Sequence, residues 1–306
     1  MSCNKRIDPN TSVKNSKGGG FSEIYDGRKE LHNLAGGDMY YIPNLIKSKR
    51  EKDQVFAKIL QEVDFQQMFN FFNNTVEAIP RMISAQTDKT SSRTLIYRMP
   101  GCNESNIPTT NWTDTVKSVV EKGSNEIGQP LNHCVVTLFR NENDSLAFHQ
   151  DKELDLKDNS LIVSISFGDP RPIVFEEIDG KRSIRIMLQP GSILVFGPKT
   201  NSRFRHAIPK LTEKVGPRIS LSARYISTFI EHVQESIESN PESVTTSGFV
   251  ILGKGEEHQT KNYPFIKSHD DVSEYTQEIK ELIDKYRQEA YDQLKTLRGT
   301  YPVAEE

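Results

Sequence analysis

The chain has 306 residues, 39 Lys and Arg against 42 Asp and Glu, and a net charge of −3, so no global positive excess marks it for a polyanion and any nucleic-acid surface has to be local. No segment reaches the roughly 20 consecutive apolar residues that span a bilayer, and the start lacks the basic-then-apolar layout of a secretory signal. Cys3, Cys102 and Cys134 cannot all pair and are not spaced as a zinc site, which predicts a reducing, cytoplasmic or nuclear setting.

In chain order, residues 1–20 are polar, end in three glycines and carry no apolar period, which predicts a flexible leader. Tyr40 to Pro43 reads as extended, and from Val55 to Asn74 apolar residues recur at roughly helical spacing, predicting a helix or helix pair laid on a sheet. A short helix capped by Thr113 or Asp114 should carry Val116, Val119 and Val120 inward and stop before Gly123. From Asn132 to Ser227 short β-rich runs alternate with Gly, Pro and Asn: residues 134–139, 161–167, 172–176, 183–188, 192–196 and 218–226. Such spacing argues for a sandwich or barrel, most economically a jelly roll. Residues 271–297 then show a long helical period, from Val272 to Leu297, which can dock on the core or bind a protein partner. The predicted fold is α+β, a jelly-roll core flanked by helices. Its predicted units are a leader (1–20), one catalytic domain (21–229) and a C-terminal helical extension (230–306). Arg171, Lys181, Arg182, Arg185, Arg203 and Arg205 could form a basic patch or simply be solvated strand faces.

One constellation carries chemistry. His149 and Asp151, two apart, would share a face if they lie on a strand, and His206 must arrive from another strand. Two imidazoles and one carboxylate leave coordination positions open, as non-haem Fe(II) oxygenases require. His-x-Asp alone is common. It gains weight here because an arginine strand, Arg218 to Arg224, follows His206 by twelve residues. Period two puts Arg218, Ser220, Ser222 and Arg224 on one face of that strand, facing either solvent or a polar cavity; periodicity does not separate the two.

With these residues the chain resembles the AlkB-like Fe(II)/2-oxoglutarate dioxygenases, within the wider double-stranded β-helix oxygenases. The resemblance spans about residues 39–229. It is carried by His149-Gln150-Asp151-Lys152-Glu153, Leu161 to Gly168, Gly191 to Phe196, His206 to Pro209, and Arg218-x-Ser220-x-Ser222-x-Arg224, with Tyr41 to Pro43, Ile79 to Arg81, Tyr97 and Trp112. It implies that His149, Asp151 and His206 hold Fe(II), that Arg218 grips the distal carboxylate of 2-oxoglutarate, that Arg224 helps near its other end, and that Ser220 and Ser222 add polar contacts. Where the family has Asn-x-Tyr before the first ligand, this chain has Thr137 and Phe139. A charged acceptor that loses such donors loses about 1.5–3 kcal/mol for each, so weaker cosubstrate binding is expected.

The reaction implied is oxidation of an N-methyl group by O2 with 2-oxoglutarate as cosubstrate, releasing formaldehyde from an alkylated base such as 1-methyladenine or 3-methylcytosine, with DNA as the favoured partner. The base must be flipped out or presented in a single strand. By the same resemblance Glu153 accepts from an exocyclic amino group and Tyr97 belongs to the lid over the base; the plainer readings are a solvated acid and a core tyrosine. A monomer is expected. The competing functions are a hydroxylase or demethylase of protein side chains and a non-catalytic module docking a partner through the C-terminal helix.

Overall fold

The structure is a computed structural model that describes residues 15–17, 21–72, 75–88, 93–97, 109–235, 246–254 and 276–304. β1 (Glu23–Tyr25), β2 (Leu31–Leu34) and β3 (Met39–Ile42) lead into α1 (Lys49–Glu62), followed by β4 (Gln66–Phe72), β5 (Thr75–Thr87), β6 (Arg93–Leu95), β7 (Thr109–Asn111) and α2 (Asp114–Ile127). The central run is β8 (His133–Phe139), β9 (Leu146–His149), β10 (Ile162–Gly168), β11 (Arg171–Glu177), β12 (Ser183–Leu188) and β13 (Ser192–Phe196). Then come α3 (Pro198–Arg203), β14 (Phe204–Ile208), β15 (Arg218–Arg224), β16 (Thr228–Glu235), β17 (Thr246–Gly253) and α4 (Gln277–Thr300).

Among the described residues one sheet runs β1-β12-β11-β14-β9, and a larger one runs β2-β3-β13-β10-β15-β8-β5-β4 with β7 on β5. Strands far apart in sequence become neighbours, β14 between β11 and β9, and β15 between β10 and β8. This is the double-stranded β-helix with flanking helices that the sequence predicts. The side-chain period of two sorts each strand of the large sheet between two cores. Val135, Phe139, Leu194 and Phe196 face the small sheet, where they meet Ile173, Phe175 and Ile186. Their neighbours Val136, Leu138, Val163, Ile165, Ile219 and Leu221 face outward onto α1, α2 and α4. A smaller sheet, β17-β16-β6, is added where the sequence signal weakens.

Two expectations are corrected. The apolar run from Val55 is not helical to Asn74: α1 ends at Glu62, and Gln66–Phe72 is strand β4. The aromatic cluster there prefers a pleated surface, and Met68 and Phe69 enter different cores from opposite faces. The register of β4 on β5 shifts between Gln67 and Phe69, opposite Pro80, which has no N–H to give. Gln67 closes that bulge by donating to the Met68 and Ile79 carbonyls at 2.9 and 2.8 Å. Second, α2 runs through Gly123 and ends at Gly128, which takes the left-handed conformation (φ 65) that favours glycine at this position. A Cβ at Gly123 would lie 2.9 Å from the Ile165 side chain, so that glycine lets helix and sheet approach.

The six basic residues of the central run, open in the sequence between a patch and solvated strand faces, divide between the interior and ion-paired surface positions. Arg171 and Arg185 are buried, while Lys181, Arg182, Arg203 and Arg205 pair with Asp179, Glu23, Glu177 and Glu176.

The C-terminal helix docks on its own chain. Ile283 packs with Phe69 and Val76, and Ala290 and Leu294 join the outer core; burying each of the larger two contributes about 1.5–3 kcal/mol. Arg298 donates from Nε to the Leu60 carbonyl and from Nη2 to that of Val63, both at 3.0 Å, satisfying acceptors at the end of α1. Of the expected helical span, residues 271–275 lie outside the described residues. Trp112 packs against the outer core, as a structural residue would.

Candidate active site

The three expected ligands converge. His149 ends β9, His206 lies on β14, and the two are paired residues of one ladder with ring centroids 4.2 Å apart. One ligand atom from each of His149, Asp151 and His206 lies within 4.8 Å of the others. Asp151 does not continue the strand, contrary to the simple picture of adjacent pleats. Its backbone is held by the side chain of Asn201 on α3 instead. The Asp151 N–H donates to Asn201 Oδ1 at 3.0 Å, and Asn201 Nδ2 donates to the Asp151 carbonyl at 2.9 Å. An amide side chain thus imitates a neighbouring strand and lets the backbone turn the carboxylate toward the histidines.

Hydrogen bonds fix which atoms remain free. Ring atom Nδ1 of His149 lies 2.9 Å from the Ala147 carbonyl, a contact that makes it the N–H donor and leaves Nε2 as a lone pair, 3.5 Å from Asp151 Oδ1. Two N–H groups of Arg224 converge on the other oxygen, Asp151 Oδ2, at 2.6 and 3.1 Å. His206 is walled by Phe175 and Phe196, at 5.4 and 5.2 Å between centroids, and its Nδ1 is buried without a partner.

Charge follows from this packing. Burial pushes His206 down to about 3, helped by His149, so the ring is neutral and able to bind a metal. Burial alone would raise Asp151, but Arg224 and the two histidines outweigh it and hold the carboxyl far below its ordinary range. Two imidazoles and one carboxylate on one side of a point are the donor set Fe(II) takes in open oxygenase sites. The residues fit the metal.

A second buried polar group surrounds Arg218. Arg218 is 1% exposed, paired across the ladder with Phe139, and its guanidinium stands 5.3 Å from that ring's centroid. Its Nη2 donates to Ser166 Oγ at 2.9 Å and Ser220 Oγ at 3.3 Å, while Nε and Nη1 are buried with no partner. Nε–H and Nη1–H point to different sides of the guanidinium, so each can donate a single hydrogen bond to an anionic oxygen rather than both to one fork. Thr137 pairs with Ser220 across the ladder, and Ser164 Oγ lies 3.1 Å from Ser220 Oγ. Ser222 is half-buried, and its carbonyl accepts from Arg224 Nη1 at 3.0 Å.

Tyr97, just past β6, is buried, its ring 4.6 Å beneath the Arg224 guanidinium and 5.6 Å from His133. His133 is neutral, pushed down to about 3 by burial and then by Arg224. Glu153 is exposed at the mouth and accepts from Asn201 Nδ2 at 2.7 Å. Asn201 thereby holds the backbone of Asp151 and the carboxylate of Glu153 together. Sequence reasoning missed it, and the only available signal was its place in the short stretch before His206. Residues 98–108, adjoining Tyr97 in the expected lid, lie outside the described residues.

Residues 38–228 match the 2OG-Fe(II) oxygenase superfamily, and the chain belongs to it as an AlkB-like member. Over 193 residues it is 28% identical to the DNA oxidative demethylase ALKBH2 of Mus musculus, covering 58% of this chain and 76% of that one. The Homo sapiens ALKBH2 is 26% identical over 193 residues, covering 58% and 70%. The Homo sapiens alpha-ketoglutarate-dependent dioxygenase alkB homolog 3 is 23% identical over 188 residues, covering 58% and 62%. The OsALKBH1 structure aligns with a TM-score of 0.42 at 16% identity, over 61% of this chain and 97% of that one.

Proposed function

We propose that this chain removes methyl groups from alkylated bases, in DNA, by Fe(II)- and 2-oxoglutarate-dependent oxidation. The observation that carries the reading is the convergence of His149, Asp151 and His206 in a chain that also buries an arginine, Arg218, with two unsatisfied donors. The metal, with 2-oxoglutarate and O2, supplies the oxidising power. The side chains do the rest. His149, Asp151 and His206 hold the ion, Arg224 fixes the carboxylate and Asn201 the backbone of Asp151, and Phe175 and Phe196 keep water from His206. Arg218 binds the distal carboxylate of the cosubstrate, with Ser220, Ser222 and Thr137 in polar support and Phe139 beneath the guanidinium.

For the substrate, the reading assigns Glu153 an exocyclic amino group of the flipped base, and Tyr97 the wall behind it. The mouse and human ALKBH2 relatives are DNA oxidative demethylases, which supports an alkylated DNA base, with 1-methyladenine and 3-methylcytosine as first candidates. A cytoplasmic or nuclear location and a monomeric state accompany the proposal. No helix among the described residues is long and apolar enough to cross a membrane. One observation favours the rival substrate class, a protein side chain: the candidate basic patch is buried or ion-paired. Incubation with Fe(II), 2-oxoglutarate and either a 1-methyladenine oligonucleotide or a methyl-lysine peptide decides between them. Formaldehyde from the oligonucleotide alone is expected; release from the peptide alone would replace this reading with its rival.

A further inference from the structure

Two buried arginines, not one, flank Phe139. Arg171, at the start of β11, is fully buried with its guanidinium 5.4 Å from the Phe139 centroid, against 5.3 Å for Arg218. Three backbone carbonyls hold Arg171 in place: Asn141 on Nη1 at 2.7 Å, and Asp144 and Pro209 on Nη2 at 2.7 and 3.1 Å. They leave its Nε buried and without a partner, like Nε and Nη1 of Arg218. Three unsatisfied N–H groups on two cations around one ring are a costly arrangement unless an anion completes it.

Two acids among the described residues already hold other cations. Asp144 is gripped by Arg140 at 2.8 Å, and Asp151 by Arg224 at 2.6 Å. The strain registers on the charges: burial and then Arg171 push Arg218 down to about 9, and burial pushes Arg171 down to about 10 against the pull of Asp144 and Glu142. A guanidinium gives up its proton with great difficulty, so the field is relieved by a bound anion.

We infer that Arg171 is a specificity residue for the cosubstrate: with both guanidiniums within 5.4 Å of the Phe139 centroid and open donors on each, the two receive the distal carboxylate where the phenol of related enzymes is replaced by Phe139. This rests on the 2-oxoglutarate reading above. It also revises the expectation of weak cosubstrate binding, because the donor lost at position 139 is restored from another strand.

The test is calorimetric binding to Mn(II)-loaded protein of 2-oxoglutarate, a diacid, and 2-oxobutyrate, which chelates the metal alike but lacks the distal carboxylate. Arg171→Gln is expected to weaken 2-oxoglutarate about tenfold or more and to leave 2-oxobutyrate within about twofold, a split that a merely structural clamp would not produce. Equal loss for both acids, or no loss for either, overturns the inference. A wild-type protein that binds neither acid overturns the cosubstrate reading itself.

Phe139→Tyr, which adds only a hydroxyl, gives a second arm that does not depend on how Arg171→Gln folds. Its gain in 2-oxoglutarate affinity should be within about twofold in wild type, since the donor is already supplied, and about tenfold on an Arg171→Lys background. A large gain in wild type, or equal gains on both backgrounds, overturns the inference.

Discussion

The two faces of β15 are buried alike and built from opposite chemistry. Ile219, Leu221 and Ala223 enter the outer core beneath the helices, while Arg218 and Arg224, one residue away at each step, enter the space between the sheets. On the outer face every contact is satisfied by neighbours of the same chain, and substitution there should change stability alone. On the inner face buried N–H groups of Arg218 are left open, so stability is forgone where a ligand can be received. A strand can thus hold the fold with one side and the chemistry with the other, and mutations should separate the two.

The sharpest break in that comparison is Asp151→Asn. It keeps the shape but removes the charge that Arg224 and the metal share, so 2-oxoglutarate turnover should fall by about three orders of magnitude or more. Turnover assays with metal content measured in parallel check this; retained turnover with bound iron would remove Asp151 from the site. Next comes Leu221→Ala, expected to cost about 2–5 kcal/mol in urea unfolding while leaving cosubstrate affinity of the folded protein unchanged. If affinity fell in step with stability, the two faces would not be independent. Arg224→Lys follows, because it loosens the carboxylate rather than removing it. Metal affinity should drop about 10–100-fold, read by competition with a chelator, and an unaltered affinity would reduce Arg224 to packing.

The smallest effect is one of pH. His133 titrates near 3 when folded against 6.5 ordinarily, so between these values the unfolded chain takes up a proton that the folded one does not. The stability it contributes is present above pH 6.5 and is lost as pH falls toward 3. His133→Phe should therefore flatten the stability profile across that window by up to about one proton, and parallel profiles for the two proteins would contradict the burial argument.

The candidate metal residues were legible through their resemblance to a family motif more than through period. His149, Asp151 and His206 do converge, but Asp151 leaves the strand that a period of two assumes, and period alone left the polar face of Arg218 to Arg224 open between solvent and interior. The elements that support them were not legible. Asn201 works through the backbone of a residue 50 positions away, and Arg171 sits at the mouth of a strand where a charged residue ordinarily meets solvent. In the fold, β8, β10 to β13 and β15 matched their expected spans closely, whereas β9 and β14 had no expected span and β4 and β5 were hidden. An aromatic run satisfies helical and pleated spacing equally, and Pro80 argues against a strand until the bulge opposite it is seen.

The clasp between α4 and α1 has a practical meaning for anyone trimming this protein. A fragment cut near residue 229 would keep His149, Asp151, His206 and both arginines around Phe139, yet it would lose the cover over Phe69 and Val76 and the side chain that closes the end of α1. Insolubility of such a fragment would report an uncovered greasy shelf, and loss of its activity would be misread as a catalytic role for the missing tail.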